Sequence, residues 1–335
     1  MSEETCTVTK EDFFPFVVLE SSELWSSYPL GLLRRRGQSR IHSDIMRLCI
    51  AGLFLDVSVD ASVAQALPNL LPFVVPECDG QVVVTRILTG QYISSEESSP
   101  TFVSQSDEKL IRVWLKPDEC KLSITIPRSG QTFWLQADRQ WQSVQTDWIS
   151  ASSDTYPCLN DFIMIAFVYR SAFYHTVTIH ASAVSVQDKG CAFIGPSGIG
   201  KSTHSRLWLQ HILGARLLND DQPVLRLHSD GTVKLYGSPW SGKTPCYHNE
   251  GVSLKALFIM QQAMENRLTR LSGIETFQQL LKATSLMGRD TVTFQAISRT
   301  QARICELIPA YWFRNCPTQE AATLSHQVFL ENSLS

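Results

Sequence analysis

The chain has 335 residues, of which 44% are hydrophobic and 18% are charged, and its formal net charge is −3. Because single hydrophobic cores stop growing near ~250–300 residues, we expect two domains. The slightly acidic balance argues against a general nucleic-acid or membrane-surface binder. No run approaches the ~18 apolar residues that span a bilayer, and the N-terminus lacks the pattern of a signal peptide. We therefore predict a cytoplasmic protein with neither nucleic acid nor membrane among its partners.

The number and spacing of the cysteines argue against a disulfide framework and against a structural zinc site. Nine cysteines are present, an odd number, and no two of them form a C-x-x-C pair. A disulfide framework or a structural zinc site is not indicated by such a pattern. We expect reduced cysteines that pack as small hydrophobic side chains.

The first half of the chain is predicted to be mainly β. Short apolar stretches recur between about 45 and 150, and separators rich in Gly, Ser, Pro and Asp divide them, as in an antiparallel meander. This half has no catalytic constellation, so residues 1–155 are assigned to a domain for substrate or homo-oligomer contacts. The predicted strands are 53–59, 81–88, 110–115, 121–126 and 131–135, with 91–108 as an exposed loop.

The second predicted domain, residues 156–335, begins with a helix and a hairpin. Residues 161–174 are apolar on nearly all sides, which is typical of a buried helix. The stretch 176–186 alternates like one strand, and a turn at 187–190 leads into an apolar strand at 191–194. The hairpin is therefore predicted to lead directly into the loop that follows.

That loop, residues 195–203, matches the phosphate-binding pattern G-x-x-x-x-G-K-[ST]. Its glycines allow a tight turn, so that backbone N–H groups can face a polyphosphate at the positive end of a helix predicted at 201–213. The lysine is expected to reach the β- and γ-phosphates and the serine to bind Mg²⁺, with the threonine supporting the serine or taking its place. The residues predicted to bind the nucleotide are Gly195, Pro196, Ser197, Gly198, Ile199, Gly200, Lys201, Ser202 and Thr203.

Two adjacent carboxylates follow the phosphate loop by about twenty residues. Asp220 and Asp221 come after an apolar strand at 215–218, where a metal ligand and a general base would be needed. Adjacent strand residues point to opposite faces, so both can act in one site only if the strand ends or bends there, as Asn219 and Pro223 indicate. The sequence leaves open which aspartate has which role, and a simple Asn-Asp-Asp turn is the alternative.

The remaining segments are predicted to be structural, apart from one lysine. A hairpin at 224–236 leads to the loop 237–243, which presents Lys243 either as a phosphate contact or as a surface lysine. Further strands are predicted at 254–260, 267–271 and 304–308, and helices at 275–282, 291–303 and 318–330.

The order of three motifs resembles that of the HPr kinase/phosphorylase family and, more distantly, of ATP-dependent phosphoenolpyruvate carboxykinase. Ile-His-Ala-Ser-Ala at 179–183 precedes the phosphate loop, and Leu-Asn-Asp-Asp at 218–221 follows it. The resemblance covers residues 156–335. It implies an α/β fold with a phosphoenolpyruvate-carboxykinase-like P-loop domain and a mixed sheet, here preceded by the mainly β N-terminal domain.

The resemblance also implies roles for the site residues. His180 would lie near the transferred phosphoryl group or the metal, and Lys201 would contact the phosphates. Ser202 and one of Asp220 and Asp221 would bind Mg²⁺, while the other aspartate would lie beside the acceptor hydroxyl. The loop 237–243 looks like the Pro-Trp-Ser-Gly-Lys loop of HPr-kinase-like proteins found near peptide-modification systems. The catalytic residues implied are His180, Lys201, Asp220 and Asp221.

The chain departs from HPr kinases in the Lys-Ser-Thr ending of its phosphate loop, in its C-terminal region and in its N-terminal half. We therefore expect an ATP- and Mg²⁺-dependent kinase that phosphorylates a hydroxyl, with a serine of a protein or peptide other than HPr as the first candidate. One alternative is a kinase for a small molecule such as free serine or a sugar. Another is a nucleotide-binding assembly factor without phosphoryl transfer.

Overall fold

The computed structural model describes residues 45–150, 152–285 and 290–333. The first 44 residues of the predicted N-terminal domain lie outside this described part. Within it the chain forms two large β-sheets and six α-helices. Both sheets mix parallel and antiparallel pairs, which confirms the α/β class.

The first sheet has eight strands. They are β1 (Ile45–Ile50), β2 (Leu53–Ser58), β3 (Val83–Leu88), β4 (Phe102–Gln105), β5 (Leu110–Leu115), β6 (Glu119–Thr125), β7 (Thr132–Asp138) and β8 (Ser143–Thr146). Strands β4 to β8 form the predicted antiparallel meander, but β3 pairs in parallel with both β2 and β8. The prediction of an antiparallel meander is therefore wrong at β3. A connection of 24 residues, containing helix α1 (Ala61–Ala66), separates β2 from β3, and this is long enough for a parallel crossover.

All five strands predicted in this half are confirmed, and three more exist in the described residues: β1, β4 and β8. Strand β4 lies inside the segment 91–108 that was predicted as an exposed loop. Phe102 is buried there and lies opposite Val113 of β5. The exposed-loop prediction is wrong at these positions because four residues suffice for an edge strand when a neighbour supplies the hydrogen bonds.

Helix α2 (Tyr156–Ser171) is buried on all sides, as its sequence predicted. It begins with Pro157 in its first turn, where a missing N–H costs no helical hydrogen bond. Residues of this helix, from Cys158 to Tyr169, belong to the same hydrophobic core as the first sheet. We call this cluster the first core. The division of the chain at residue 155 stays a prediction.

The second sheet has nine strands. They are β9 (Thr176–Thr178), β10 (Ala181–Val186), β11 (Lys189–Ile194), β12 (Ala215–Asp221), β13 (Val224–Leu227), β14 (Val233–Tyr236), β15 (Gly251–Gln262), β16 (Arg267–Arg270) and β17 (Ala310–Asn315). The order is β12-β10-β11-β15-β14-β13-β9, and β17 also pairs with β15 and β16. Strand β15 pairs in parallel with β11 and β17, and the other pairs are antiparallel. The hairpin β10–β11 ahead of the phosphate loop is confirmed.

Four further helices accompany the second sheet: α3 (Lys201–His211), α4 (Gly273–Lys282), α5 (Thr291–Leu307) and α6 (Gln319–Glu331). The predicted strand at 304–308 is wrong, because α5 continues to Leu307. Ile297 and Ile304 are both buried, and a spacing of seven residues places them on one helical face. Pro309 then favours an extended residue before it, and Ile308 is extended. Strand β17 follows.

None of the helices in the described ranges is long and apolar enough to cross a lipid bilayer.

Candidate functional site

The phosphate loop connects β11 to α3. Gly198 and Gly200 have positive φ angles of 79° and 108°, which residues with side chains rarely adopt. Gly200 precedes the first residue of α3 and offers no side chain to cap the helix. The N–H groups of the first turn are therefore left to a ligand or water. An anion at this end would meet both these donors and the positive end of the helix.

The Lys201 side chain folds back over the loop. Its Nζ lies 2.8 Å from the carbonyl oxygen of Gly195, 3.2 Å from that of Pro196 and 2.8 Å from Nε2 of His180. Burial lowers the pKa of Lys201, whereas the nearby carboxylates of Asp221 and Asp220 raise it. An ammonium group has three donors, so a phosphate can bind Lys201 only by replacing at least one of these partners.

His180 lies at a break between two strands. The single strand predicted at 176–186 is wrong, because β9 ends at Thr178 and β10 begins at Ala181. The backbone N–H of His180 leaves the sheet ladder and donates to the carbonyl of Ala283 over 2.6 Å. Since this N–H is used by a segment outside the sheet, the chain departs from regular strand pairing at His180.

The imidazole of His180 lies between Lys201 and Asp221. Nε2 faces Lys201, and Nδ1 lies 2.9 Å from Oδ1 of Asp221. A charged lysine can only donate, so Nε2 is assigned as the acceptor and Nδ1 as the N–H. The Nδ1 contact with the carboxylate is short but lacks hydrogen-bond geometry, so it is a close polar contact. This chain of contacts orients the Asp221 carboxylate relative to Lys201.

The two aspartates reach the same site from adjacent positions. Oδ1 of Asp220 accepts a hydrogen bond of 2.9 Å from Oγ of Ser202, while the Asp221 carboxylate contacts His180. The pairing of β12 with β10 skips Leu218 and then continues in register to Asp221, which itself has a φ of 153°. The end of β12 therefore departs from regular strand geometry, as the sequence required for both carboxylates to act together.

The structure thus joins five predicted residues by hydrogen bonds or close polar contacts: His180, Lys201, Ser202, Asp220 and Asp221. We call them the five-residue cluster. Two other predicted residues, Thr203 and Lys243, have exposed side chains and are not part of this cluster. Ser202 rather than Thr203 is therefore the hydroxyl that faces a carboxylate. The remaining residues of the phosphate loop, from Gly195 to Gly200, are exposed or half-buried.

Asn219 is a residue that sequence reasoning treated only as part of a bend. It is fully buried, and its Nδ2 donates to the carbonyls of Ser238 and Trp240 over 3.3 and 3.1 Å. Its Oδ1 accepts from the backbone N–H of Gln222 over 2.8 Å. Asn219 therefore connects the end of β12 to the loop 237–243. The sequence signal for this role was an amide side chain between an apolar strand and two aspartates. The hydrogen-bond partners in the loop could not be predicted because they lie about twenty residues away.

The cluster fits a magnesium–nucleotide complex. Among the described residues, no group of three or more His, Cys, Asp or Glu side chains could hold a metal ion by itself. One carboxylate and one hydroxyl, as in Asp220 and Ser202, suit Mg²⁺, which keeps water and phosphate oxygens as its other ligands. The uncapped start of α3 and the Lys201 ammonium supply donors for those phosphates.

Comparisons with known proteins add a distant structural neighbour. No protein-family model and no curated protein matches this chain. Among solved structures, the chain is similar to the Hpr(Ser) kinase/phosphatase from Coxiella burnetii, with 14% identity and a TM-score of 0.25, over 47% of this chain and 90% of that one. At so low a TM-score, the basis for a functional conclusion is the geometry of the five-residue cluster.

Proposed function

We propose that this protein is an ATP- and Mg²⁺-dependent kinase that transfers the γ-phosphoryl group to a hydroxyl, with a serine of a protein or peptide as the first candidate acceptor. The observation that carries the proposal is that the phosphate-loop side chains are connected to the carboxylates of Asp220 and Asp221. Ser202 bonds to Asp220, and Lys201 reaches Asp221 through His180. Phosphoryl transfer needs mainly positioning and charge neutralisation, and these residues supply both.

The two aspartates take different roles in this proposal. Bound ATP would supply the phosphoryl group, and the Mg²⁺ that accompanies it would neutralise part of the phosphate charge. Asp220 holds the metal with Ser202, because these two side chains already face each other. Asp221 orients or accepts the proton of the acceptor hydroxyl, and His180 holds its carboxylate. Lys201 and the loop N–H groups hold the phosphates, with Lys243 as a further phosphate contact from the neighbouring loop.

The proposal extends to fold family and partners. The hairpin β10–β11 ahead of the phosphate loop supports a phosphoenolpyruvate-carboxykinase-like P-loop class for the second sheet. We assign acceptor or homo-oligomer contacts to the first sheet, since the five-residue cluster lies on α3, on β12 and between β9 and β10.

The test is incubation of the purified protein with γ-labelled ATP, Mg²⁺ and a cell lysate. We expect label on a protein or peptide, and its loss in Lys201→Ala. Lys189→Ala is the matched control: this lysine lies at the other end of β11, and its Nζ donates to the carbonyl of Ser333 over 3.1 Å. Label on a small molecule would show that the acceptor is a small molecule and not a protein or peptide. Nucleotide binding without transfer, or normal transfer by Lys201→Ala, would refute the kinase.

A further inference from the structure

The loop 237–243 connects the first core to the end of β12. Trp240 of this loop is fully buried in the first core, and its ring centroid lies 5.5 Å from that of Phe167 on α2. Asn69, which precedes β3, donates to the carbonyl of Pro239 over 3.2 Å and to Oδ1 of Asn160 over 2.8 Å. Residues of the first half and of α2 thus hold the loop through both packing and hydrogen bonds.

The same loop contacts the backbone of the paired aspartates. The N–H of Gly242 donates to the carbonyl of Asp220 over 2.5 Å, whereas the Ser241 hydroxyl donates to the carbonyl of Thr244 over 2.7 Å. Asn219 donates to the carbonyl of Trp240. The approach is so close that a Cβ on Gly242 would lie 2.9 Å from the Asp220 carbonyl oxygen. The position of Asp220 is therefore tied to the position of Trp240.

We propose that Trp240 and Asn219 are positioning residues, through which the first core holds Asp220 and Asp221 in the geometry for phosphoryl transfer. This inference rests on the proposed function. The reasoning is that a misplacement of about 1 Å at a reacting group can cost about a hundredfold in rate, and the backbone at Asp221 departs from regular strand geometry with a φ of 153°. The contacts of the loop 237–243 therefore add to the strand pairing that holds the end of β12. The phosphate loop has no part in these contacts, so the phosphate binding that it supplies should be independent of them, and Lys243 is the proposed phosphate contact that would move with the loop 237–243.

The chain offers a closely matched control for Trp240. Trp141 is also fully buried in the first core, and its ring centroid lies 5.0 Å from that of Tyr169 on the same helix α2. Neither indole N–H has a hydrogen-bond partner among the described residues. Trp141 follows β7, whereas Trp240 lies beside Asn219. Trp240→Phe and Trp141→Phe therefore remove similar packing, but only the first loosens the loop.

The experiment measures turnover of Mg·ATP, ATP binding in EDTA and hydrogen exchange of the Gly242 amide. For Trp240→Phe we expect kcat to fall by about 10–100-fold, exchange at Gly242 to accelerate and ATP binding in EDTA to fall no further than it does in Lys243→Ala. Asn219→Ser should act in the same way. For Trp141→Phe we expect a similar fall in melting temperature with normal kcat and normal exchange at Gly242.

The outcomes separate this inference from the proposed function. Unchanged kcat and unchanged Gly242 exchange in Trp240→Phe would overturn the inference while the kinase stands. Equal loss of kcat in Trp141→Phe would show a general loss of stability and would also overturn it. If the native protein transferred no phosphoryl group, the proposed function would fail, and with it the catalytic part of the inference. Gly242 exchange would still decide whether Trp240 holds the Asp220 segment.

Discussion

Asp220→Asn and Asp221→Asn should impair the protein in different ways, although the two residues are adjacent. Each substitution removes a negative charge and preserves the shape of the side chain. Asp220 accepts from Ser202 at the start of α3, whereas Asp221 faces the Nδ1 of His180. We therefore expect Asp220→Asn to weaken Mg·ATP binding and Asp221→Asn to slow turnover with little change in binding.

The magnitudes follow from these contacts. An interaction with a charged group is worth about 1.5–3 kcal/mol, so loss of the Asp220 charge should weaken Mg·ATP binding by about 10- to 150-fold. Loss of a general base lowers the rate by about 10²–10⁴. For Asp221→Asn that corresponds to about 3–5 kcal/mol of transition-state stabilisation.

The assay is titration of each variant with ATP in the presence and absence of Mg²⁺, followed by single-turnover measurements at saturating Mg·ATP. The native protein and Asp221→Asn should bind Mg·ATP alike, and Asp220→Asn should lose mainly the Mg²⁺-dependent part of the affinity. Equal and mild effects of both substitutions on affinity and rate would refute the division of roles. The segment Asn219 to Asp221 would then be only a bend, while the phosphate-loop proposal would stand.

Three further predictions test individual groups of the site and core. Ser202→Ala should reduce Mg²⁺-dependent ATP affinity at least tenfold more than Thr203→Ala, because only the serine bonds a carboxylate; equal effects would argue against this hydroxyl as a ligand. Burial lowers the pKa of Lys201, so ATP affinity should fall as pH rises into the alkaline range. The Asp221 charge raises the pKa of Lys201. Asp221→Asn should therefore shift the loss of ATP affinity to lower pH. Burial lowers the pKa of His204 from 6.5 to about 3. Below pH ~6.5 the unfolded chain therefore binds a proton that the folded protein does not, and the free energy of unfolding falls on acidification. Going from pH 7 to 5 should cost about 2 kcal/mol of unfolding free energy, and His204→Gln should lose correspondingly less in denaturant titrations.

The elements that the sequence predicted correctly are those governed by neighbouring residues. The strand before the phosphate loop, the helix after it and the β10–β11 hairpin all follow from short-range signals: an apolar run, three glycines and a turn. The strand predicted at 304–308 failed because apolar residues there also fit a helical face. The break at His180 was missed because its cause, the backbone of Ala283, is about a hundred residues away in the chain.

By itself the sequence predicted a phosphate loop, a histidine ahead of it and an Asp-Asp pair after it in one mixed α/β chain, because each motif is local and their order is readable. Only the tertiary structure decided which aspartate faces Ser202 and which faces His180. That choice depends on the irregular end of β12 and its pairing with β10, which bring together residues about forty positions apart. The contact between Trp240 and the first core likewise joins segments about seventy residues apart. Such pairings are set by packing between distant elements, and periodicity within one segment carries no information about them.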